Sequence, residues 1–238
     1  MSIDQTLKAQ RQLASVASSG ISTAPVYTAF DQVLTQLDLK GEILDFGAGT
    51  GNLTRRLQAL GCFNSITAID IMPRPVEIDE SIRWLSWDLN DALNIPDQSF
   101  DVIASAEVIE HLENPRAVAR EWFCLLRPGG TLVFSTPNNE SWRSLIALVL
   151  QGHFVSFGDT CYPAHISALV RKDIERILTE AGFSMPKFIF TNVGGIPKFP
   201  KLNWQTISAG LLKGIRYSDN LLVIAKHCSS AQIAHKPK

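Results

Sequence analysis

The strongest constraint on the fold is a short apolar run, EILDF (42–46), that leads directly into a turn with three glycines. The glycines stand at positions 47, 49 and 51, and an amphipathic stretch, NLTRRLQAL (52–60), follows them. An apolar run, a glycine turn and an amphipathic stretch predict a strand joined tightly to a helix. This is the unit from which parallel sheets are built.

The same alternation of strand and helix signals continues along the chain. Further strand-like runs lie at 65–70, 83–88, 100–107, 131–136, 183–190 and 220–227, and helical segments are expected at 114–127, 141–150 and 171–182. Pro73 and Pro75 leave room only for an irregular crossover after the second strand. Apolar strands separated by helices are typical of a parallel sheet covered on both faces, so we predict one doubly wound α/β domain.

The ends of the chain and two connections complete the predicted organisation. Residues 1–40 contain two helical segments and are predicted to form an N-terminal helical cap on a domain that spans 41–238. Within that domain, 141–170 is predicted to cover the substrate side, and 191–219 to form a surface excursion with a short helix.

Charge and cysteine content narrow the class of protein. Lys plus Arg is 22 and Asp plus Glu is 23, so the net charge of −1 gives no support to a non-specific nucleic-acid or membrane binder, although it leaves a local basic patch open. The four cysteines form no CxxC pair, which argues against a zinc site or a disulfide framework. With no apolar leader and no apolar run long enough to span a bilayer, we expect a cytoplasmic protein.

The glycine turn and the acids around it indicate the kind of ligand. The spacing is GxGxG rather than the GxGxxG of dinucleotide sites, and Asp45, two residues before Gly47, would repel a pyrophosphate and favour a cationic ligand. Asp70, at the end of the second predicted strand, can accept hydrogen bonds from ribose hydroxyls. Asp88, at the end of the third, can accept from an adenine amine. These features disfavour a nicotinamide oxidoreductase and predict an adenosine ligand that carries an amine but no phosphate.

The ordered stretches ILDFGAGTGNLT, AID, WDLND, FDVIASAEVIEHLENP and LLRPGGTLVFSTPN resemble the motifs of class I S-adenosylmethionine-dependent methyltransferases. The resemblance covers roughly residues 40 to 137, and the helix before the sixth strand is also similar to the segment that closes such domains. It implies a Rossmann-like sheet of seven strands, mostly parallel with an antiparallel last strand, and S-adenosylmethionine as the cofactor.

The resemblance also implies roles for individual residues. The backbone of the glycine turn (Gly47, Ala48, Gly49 and Gly51) would approach the methionine portion of the cofactor, Ala106 and Glu107 would lie near the methionine end, and Asp45 would contact or support the methionine amine. Asp70 would hold the ribose, and Ile71 would pack on the adenine. Asp88 and the adjacent Leu89 would meet the adenine amine.

The segment EVIEHL (107–112) follows the fourth predicted strand and carries the candidate catalytic groups. One helical turn would place Glu107, Glu110 and His111 on one side, where with His165 they are candidate ligands of a divalent cation. The pattern resembles those of ubiquinone-pathway O-methyltransferases and of small-RNA 3′-end 2′-O-methyltransferases, which are metal-assisted. Without a metal, His111, Glu110 and His165 are acid–base candidates, or His111 only anchors the turn.

Aromatic residues suggest the acceptor. Candidate pocket walls are Tyr27, Phe30, Trp142, Phe154, Phe157 and Tyr162, which favour a planar or lipophilic small molecule methylated at oxygen. Methylation of an RNA 3′ end, or of nitrogen or carbon in another metabolite, is the alternative, and a non-catalytic S-adenosylmethionine-binding protein is a further one. RNA is less favoured because the basic residues (Arg171, Lys172, Lys198, Lys201, Lys213, Arg216) form no stripe. No oligomeric state is predicted.

Overall fold

The computed structural model describes residues 3–228 of the chain. The helices are α1 (Ile3–Ser18), α2 (Ala24–Gln36), α3 (Asn52–Leu60), α4 (Pro115–Leu125), α5 (Trp142–Gln151), α6 (Arg171–Ala181) and α7 (Trp204–Ile207). The strands are β1 (Gly41–Phe46), β2 (Phe63–Asp70), β3 (Arg83–Ser86), β4 (Phe100–Ala106), β5 (Leu126–Pro137), β6 (Lys187–Phe190), β7 (Gly195–Ile196), β8 (Phe199–Asn203) and β9 (Asn220–Lys226).

Seven strands form one sheet in the order β3-β2-β1-β4-β5-β9-β6. The last strand along the chain, β9, runs antiparallel to both of its neighbours, and the other strands are parallel to one another. The predicted Rossmann-like, mostly parallel sheet with an antiparallel last strand is therefore confirmed. The strand order reverses between β1 and β4, and in such sheets this switch point opens a crevice at the carboxyl ends of the strands.

Helices bury apolar side chains on both faces of the sheet. On one face Trp122 of α4 is fully buried, with ring centroids 5.5 Å from Phe46 and 5.1 Å from Phe134. On the other, Phe30 and Leu34 of α2 share a core with Ile43 of β1. Helix α2 thus packs against one face of the sheet. The division into a cap of 1–40 and a domain of 41–238 stays a prediction.

Local signals place most element ends where the sequence predicts them. The side chain of Asn114 accepts a hydrogen bond from the Ala117 amide and Pro115 opens α4, whereas Gly61 and Gly182 end α3 and α6 with positive φ. The crossover after β2 is irregular, as expected.

Several element boundaries differ from the prediction, and the largest difference is in β5, which begins at Leu126 rather than at position 131. Strand β3 ends at Ser86, two residues before Asp88, and β6 begins only at Lys187, because Phe183 forms an isolated bridge with His227 instead. The 191–219 excursion contains the β7–β8 hairpin as well as the short helix α7, and the hairpin was not predicted. None of the helices in the described part of the chain has both the length and the apolar character needed to cross a bilayer.

Candidate active site

A cavity of about 590 Å³ lies at the carboxyl ends of β1, β2 and β4. Its walls come from the glycine turn, from the residues after β2 and β4, from 88–90 and from 162–166, and α1 closes the remaining side. A volume of this size is typical of small-molecule and cofactor sites. The predicted cofactor residues that line it are Gly47, Ala48, Gly49, Asp70, Ile71, Asp88, Leu89, Ala106 and Glu107.

The glycine turn is crowded by the protein itself. A Cβ atom added at Gly47 would overlap Val108, and one added at Gly49 would overlap the carbonyl group of Gly20. Gly51 does not line the cavity, and its added Cβ would overlap Ile78. The close approach of the chain to itself is therefore one reason for glycine at these positions.

Two backbone amides hold Asp70 in the wall of the cavity. Its Oδ2 accepts a hydrogen bond from the Gly49 amide (2.7 Å) and its Oδ1 accepts one from the Met72 amide (2.8 Å). Burial raises the pKa of this carboxyl group, and the hydrogen bonds from backbone amides oppose that shift. The carboxylate is thus oriented at the end of β2, where its remaining lone pairs can accept the hydroxyls of a ribose.

Asp88 lies in the cavity wall and is paired with a residue that sequence reasoning missed. Arg11 of α1 donates from Nη1 to Asp88 Oδ2 (3.0 Å) and to Asp91 (3.1 Å), and from Nη2 to Glu113 (2.8 Å). The other oxygen of Asp88 accepts from the Asn90 amide (3.0 Å). An adenine amine at Asp88 would therefore share a carboxylate that already has two partners. No local pattern in the sequence joins Arg11 to acids 77 to 102 positions away.

Asp45 lies beneath the glycine turn and is not among the residues that line the cavity. It is completely buried, its Oδ2 accepts a hydrogen bond from the Thr54 hydroxyl (2.5 Å), and its Oδ1 has no hydrogen-bond partner. Burial raises the pKa of Asp45 to about 7. Its predicted role at the methionine amine stays a prediction.

Glu107 begins the turn after β4 with a φ of +56°, a conformation that is uncommon outside glycine. Its Oε2 accepts from Asn220 Nδ2 (2.6 Å), while its buried Oε1 has no hydrogen-bond partner. Burial raises the pKa of Glu107 to about 7. A buried acceptor without a partner beside a cavity suits a cationic ligand such as a sulfonium or an ammonium group.

Glu110, His111 and His165 come together as the sequence predicts, but Glu107 is not part of this cluster. One candidate ligand atom from each of the three residues lies within 4.8 Å of the others. The predicted α-helical turn is instead a 3₁₀ turn over 109–111, and Glu107 precedes it with a left-handed backbone (φ +56°), so its side chain is not part of the cluster. Both histidines line the cavity, whereas Glu110 is completely buried.

The two imidazole rings are held in one tautomer. His111 Nδ1 lies 2.8 Å from the Ala164 carbonyl oxygen and His165 Nδ1 lies 2.7 Å from that of Ser156. Because a carbonyl only accepts, Nδ1 carries the proton in each ring and Nε2 keeps its lone pair. Burial and then the neighbouring His165 lower the pKa of His111 to about 4, and burial also lowers the pKa of His165. Both rings are therefore neutral near pH 7.

Glu110 completes this cluster with an uncompensated carboxyl group. Its Oε2 accepts from the Thr136 hydroxyl (3.2 Å), and its buried Oε1 has no hydrogen-bond partner. Burial, and then the nearby Glu107, raise its pKa well above the ordinary value. Such a group either retains its proton or is compensated by a cation.

The predicted aromatic walls are only partly correct. Tyr27 and Tyr162 line the cavity, but Phe30 does not, because it is fully buried in the core between α2 and the sheet. Trp142, Phe154 and Phe157 also lie outside the lining, although the Phe157 ring packs 5.5 Å from that of His165. Their place is taken by α1, whose lining residues (Leu7, Gln10, Arg11, Leu13, Ala14, Ser15, Ser18) no motif had marked.

Comparison with known proteins agrees with this architecture. Residues 23–186 match the model of a family described as a methyltransferase domain. The chain is 33% identical over 128 residues to a ubiquinone biosynthesis O-methyltransferase of Xanthomonas oryzae pv. oryzae (strain PXO99A), covering 50% of this chain and 53% of that protein. It is 31% identical over 153 residues to a malonyl-[acyl-carrier protein] O-methyltransferase of Paenibacillus sp. (strain JDR-2), covering 60% of this chain and 55% of that protein.

The chain thus spans about half the length of the curated relatives it matches. Among solved structures, a SAM-dependent methyltransferase from Archaeoglobus fulgidus superposes with a TM-score of 0.57 and 19% identity, over 84% of this chain and 94% of that one. The family match covers most of the chain, and the strand order is that of the fold the sequence motifs implied. The chain therefore belongs to the methyltransferase domain family and has the class I S-adenosylmethionine-dependent methyltransferase fold.

Proposed function

We propose that the protein transfers the methyl group of S-adenosylmethionine to a hydroxyl oxygen of a small lipophilic molecule. The observation that carries the proposal is the convergence of Asp70, Asp88 and Glu107 on one cavity beside the glycine turn. Among the described residues that line the cavity, Arg11 is the one arginine, and it is already paired with three carboxylates, so this wall suits a phosphate-free, cationic adenosine ligand. A cytoplasmic location is part of the same proposal.

Positioning is the main chemical task of such a site. In the proposed complex, Asp70 accepts the ribose hydroxyls, Asp88 accepts the adenine amine, and Glu107 lies near the positively charged methionine end. Methyl transfer forms a bond from the acceptor oxygen to the methyl carbon as the carbon–sulfur bond breaks, and the electron pair of that bond goes to sulfur. Holding oxygen, carbon and sulfur in line supplies most of the acceleration.

An oxygen acceptor must also lose its proton, which is the proposed task of the Glu110–His111–His165 cluster. His111 and His165 present neutral imidazoles to the cavity. With a pKa of about 4, His111 is a weak base for a hydroxyl near pH 7. The same neutral rings, each with its Nδ1 on a backbone carbonyl, are well suited to holding a divalent cation together with Glu110. A cation held there would lower the pKa of the acceptor hydroxyl.

The two relatives described above support oxygen as the methylated atom, since both are named O-methyltransferases. Transfer to nitrogen or carbon, transfer to an RNA 3′ end, and cofactor binding without catalysis are the alternatives. A site whose exposed entrance includes Tyr162 and Ile166 favours a lipophilic molecule over a polyanion.

The test is a methyl-transfer assay with labelled S-adenosylmethionine and a panel of phenols, catechols, amines and a short RNA, combined with calorimetric titration of the cofactor. We expect transfer to a hydroxyl compound, and Asp70→Ala should weaken cofactor binding at least about tenfold by removing a charge-assisted acceptor. Asp97→Ala, at an exposed acid away from the cavity, should bind as the wild type does. Absence of cofactor binding would refute the whole proposal, and binding without any transfer would favour the non-catalytic alternative.

The same assay examines the cluster. Chelation by EDTA should abolish transfer and Mg²⁺ or Mn²⁺ should restore it, while His165→Gln should lower kcat at least about tenfold. His153→Gln is the matched control, because His153 also places Nδ1 on a backbone carbonyl but does not line the cavity. If chelation has no effect and His111→Gln still lowers kcat, the cluster acts by proton transfer without a metal.

A further inference from the structure

The large apolar residues of helix α5 face outward, whereas a helix that packs only against its own domain would bury them. The buried side of the helix consists of the small residues Ser144 and Ala147. Large apolar side chains point outward, with Val149 83% and Leu150 66% exposed. Trp142 and Ile146 extend the same stripe at helical spacing and are also exposed. A contiguous apolar stripe on the outside of a helix indicates a surface that a lipid layer or another molecule covers.

The 191–217 segment, which follows β6 and leads towards β9, packs beside the start of this helix. The guanidinium group of Arg216 lies 5.4 Å from the ring centre of Trp142 and donates a hydrogen bond to the Glu140 carbonyl (2.6 Å). Arg143 of α5 pairs with Asp219 (2.8 Å), which also accepts from the Gly195 amide. These contacts join the segment to the start of α5 through several independent interactions.

The segment itself exposes further large apolar residues. Phe199 and Leu202 of β8 are 62% and 46% exposed, Ile207 of α7 is 57% exposed, and Leu211 is 84% exposed. Exposed lysines stand beside them in the chain, Lys198 next to Phe199 and Lys213 two positions after Leu211. Among the residues that the structure describes, no carboxylate lies within ion-pair distance of either lysine.

Charge along these two parts of the chain is entirely of one sign. Residues 141–158 and 184–217 contain no Asp or Glu, and they contain six basic residues: Arg143, Lys187, Lys198, Lys201, Lys213 and Arg216. Since the whole chain has a net charge of −1 and these segments contribute six positive charges, the rest of the chain has a net charge of −7. Because Asp219 offsets Arg143 and Lys187 lies before the 191–217 segment, the surplus positive charge beside the exposed apolar residues comes from Lys198, Lys201, Lys213 and Arg216.

We propose that α5 and the 191–217 segment form a peripheral docking surface for an anionic lipid bilayer. Exposed apolar side chains with unpaired lysines beside them in the chain are what a membrane interface accepts, because the apolar groups enter the acyl boundary and the cations meet anionic headgroups. The lysine stems can lie along the apolar surface while their charges reach the headgroups. A second copy of the chain is disfavoured, because a symmetric dimer through this surface would oppose like charges.

The test is co-sedimentation of the full chain with vesicles of phosphatidylcholine alone or mixed with phosphatidylglycerol, at low and high salt. We expect binding to the anionic vesicles only, weakened by salt because the cations contribute to it. The double variant Val149→Ser/Leu150→Ser should reduce the partition coefficient at least about tenfold, since two exposed apolar side chains no longer enter the interface. Lys198→Glu/Lys213→Glu should reduce it by a similar factor.

Matched controls change the same residue types elsewhere on the surface. Val76→Ser removes an apolar side chain that is 98% exposed but lies in the crossover after β2, and Lys8→Glu/Lys40→Glu reverses two exposed lysines outside the surface. These controls should sediment with vesicles as the wild type does, and thermal unfolding confirms that every variant is folded. Failure to bind anionic vesicles, or equal loss in variants and controls, overturns the proposal. So does a wild-type dimer in gel filtration with light scattering that Val149→Ser/Leu150→Ser dissociates, since the surface would then be a protein interface.

Discussion

Gly49 shows how the glycine turn is tied to the N-terminal part of the chain. Its amide donates to Asp70 (2.7 Å), and the next residue, Thr50, donates from its amide to the Gly20 carbonyl (3.1 Å). That same carbonyl occupies the space where a Cβ of residue 49 would lie. The loop between α1 and α2 is therefore packed directly on the turn, so glycine at this position serves the protein's own packing as well as any cofactor.

A pair of alanine substitutions separates the two costs of replacing such a glycine. Gly49 and Gly61 both have positive φ (+53° and +63°), but nothing lies within 4 Å of a Cβ at Gly61. Gly61→Ala should lower the free energy of unfolding by about 1 kcal/mol, the cost of the left-handed backbone. Gly49→Ala should cost roughly 1–3 kcal/mol more, because the new methyl group overlaps the Gly20 carbonyl. Urea unfolding followed by circular dichroism measures both, and equal losses would show that the Gly20 contact relaxes freely.

Among the elements, α1 belongs to the predicted N-terminal cap and covers the cavity. Its Arg11 guanidinium group reaches Asp88, Asp91 and Glu113 on the opposite wall. The Arg11 side chain is only 13% exposed, which is low for a helix at the surface. Removing a residue with several ion pairs from a helix lowers the free energy needed to open that helix locally.

Replacing Arg11 should therefore loosen α1 selectively. In Arg11→Ala, amide hydrogen exchange in α1 should accelerate at least about tenfold, while exchange in the sheet stays unchanged. Arg116→Ala is the control, because the ion pair of Arg116 with Glu180 joins side chains that are 62% and 54% exposed and contributes little. Unchanged exchange in α1 of Arg11→Ala would mean that apolar contacts alone hold the helix closed.

For the molecule as a whole, buried carboxyl groups make stability depend on pH. Burial raises the pKa of Asp45 to about 7 from 3.8. The folded state therefore binds this proton more tightly than the unfolded state, so the contribution of Asp45 is most favourable below pH 3.8 and is lost as pH rises through 7. His111 acts in the opposite direction, since its pKa is lowered to about 4 and its contribution is lost as pH falls from 6.5 through 4.

Asp45→Asn isolates the first of these effects, because asparagine stays neutral and can still accept from the Thr54 hydroxyl. The melting temperature of the variant relative to wild type should be higher at pH 8 than at pH 5. Between the two pH values, the free energy of unfolding of the variant relative to wild type should change by about 2 kcal/mol. For a chain of this length, that change corresponds to a few degrees in melting temperature. Thermal unfolding by circular dichroism at both pH values measures it. A difference that does not vary with pH would show that Asp45 does not ionise in this range.

Much of the sheet and of the cofactor wall could be predicted because both are local in the chain. EILDF followed by glycines at 47, 49 and 51 is a strand, a turn and a helix start in sequence order, and Asp70 is the last residue of its strand. The spacing of apolar residues and the residue types that form turns depend on neighbouring positions, so both can be recognised in a single sequence. Phe30 was misplaced for the same reason, since an apolar helix face looks identical whether it meets a cavity or a core.

The remaining features of the site depend on contacts between residues that are distant in the chain. Arg11 meets Asp88 and Glu113 across 77 and 102 positions, and Gly20 meets the glycine turn across 30. His165 joins Glu110 and His111, while the left-handed backbone at Glu107, before the 3₁₀ turn, leaves that residue outside the cluster. The outward direction of the α5 stripe likewise depends on which side of the helix packs against the domain. Local sequence patterns are enough to predict the sheet, the glycine turn and the acids at the strand ends, because neighbouring residues form them. How the cavity is closed, and which side chains share it, depends on packing between distant segments.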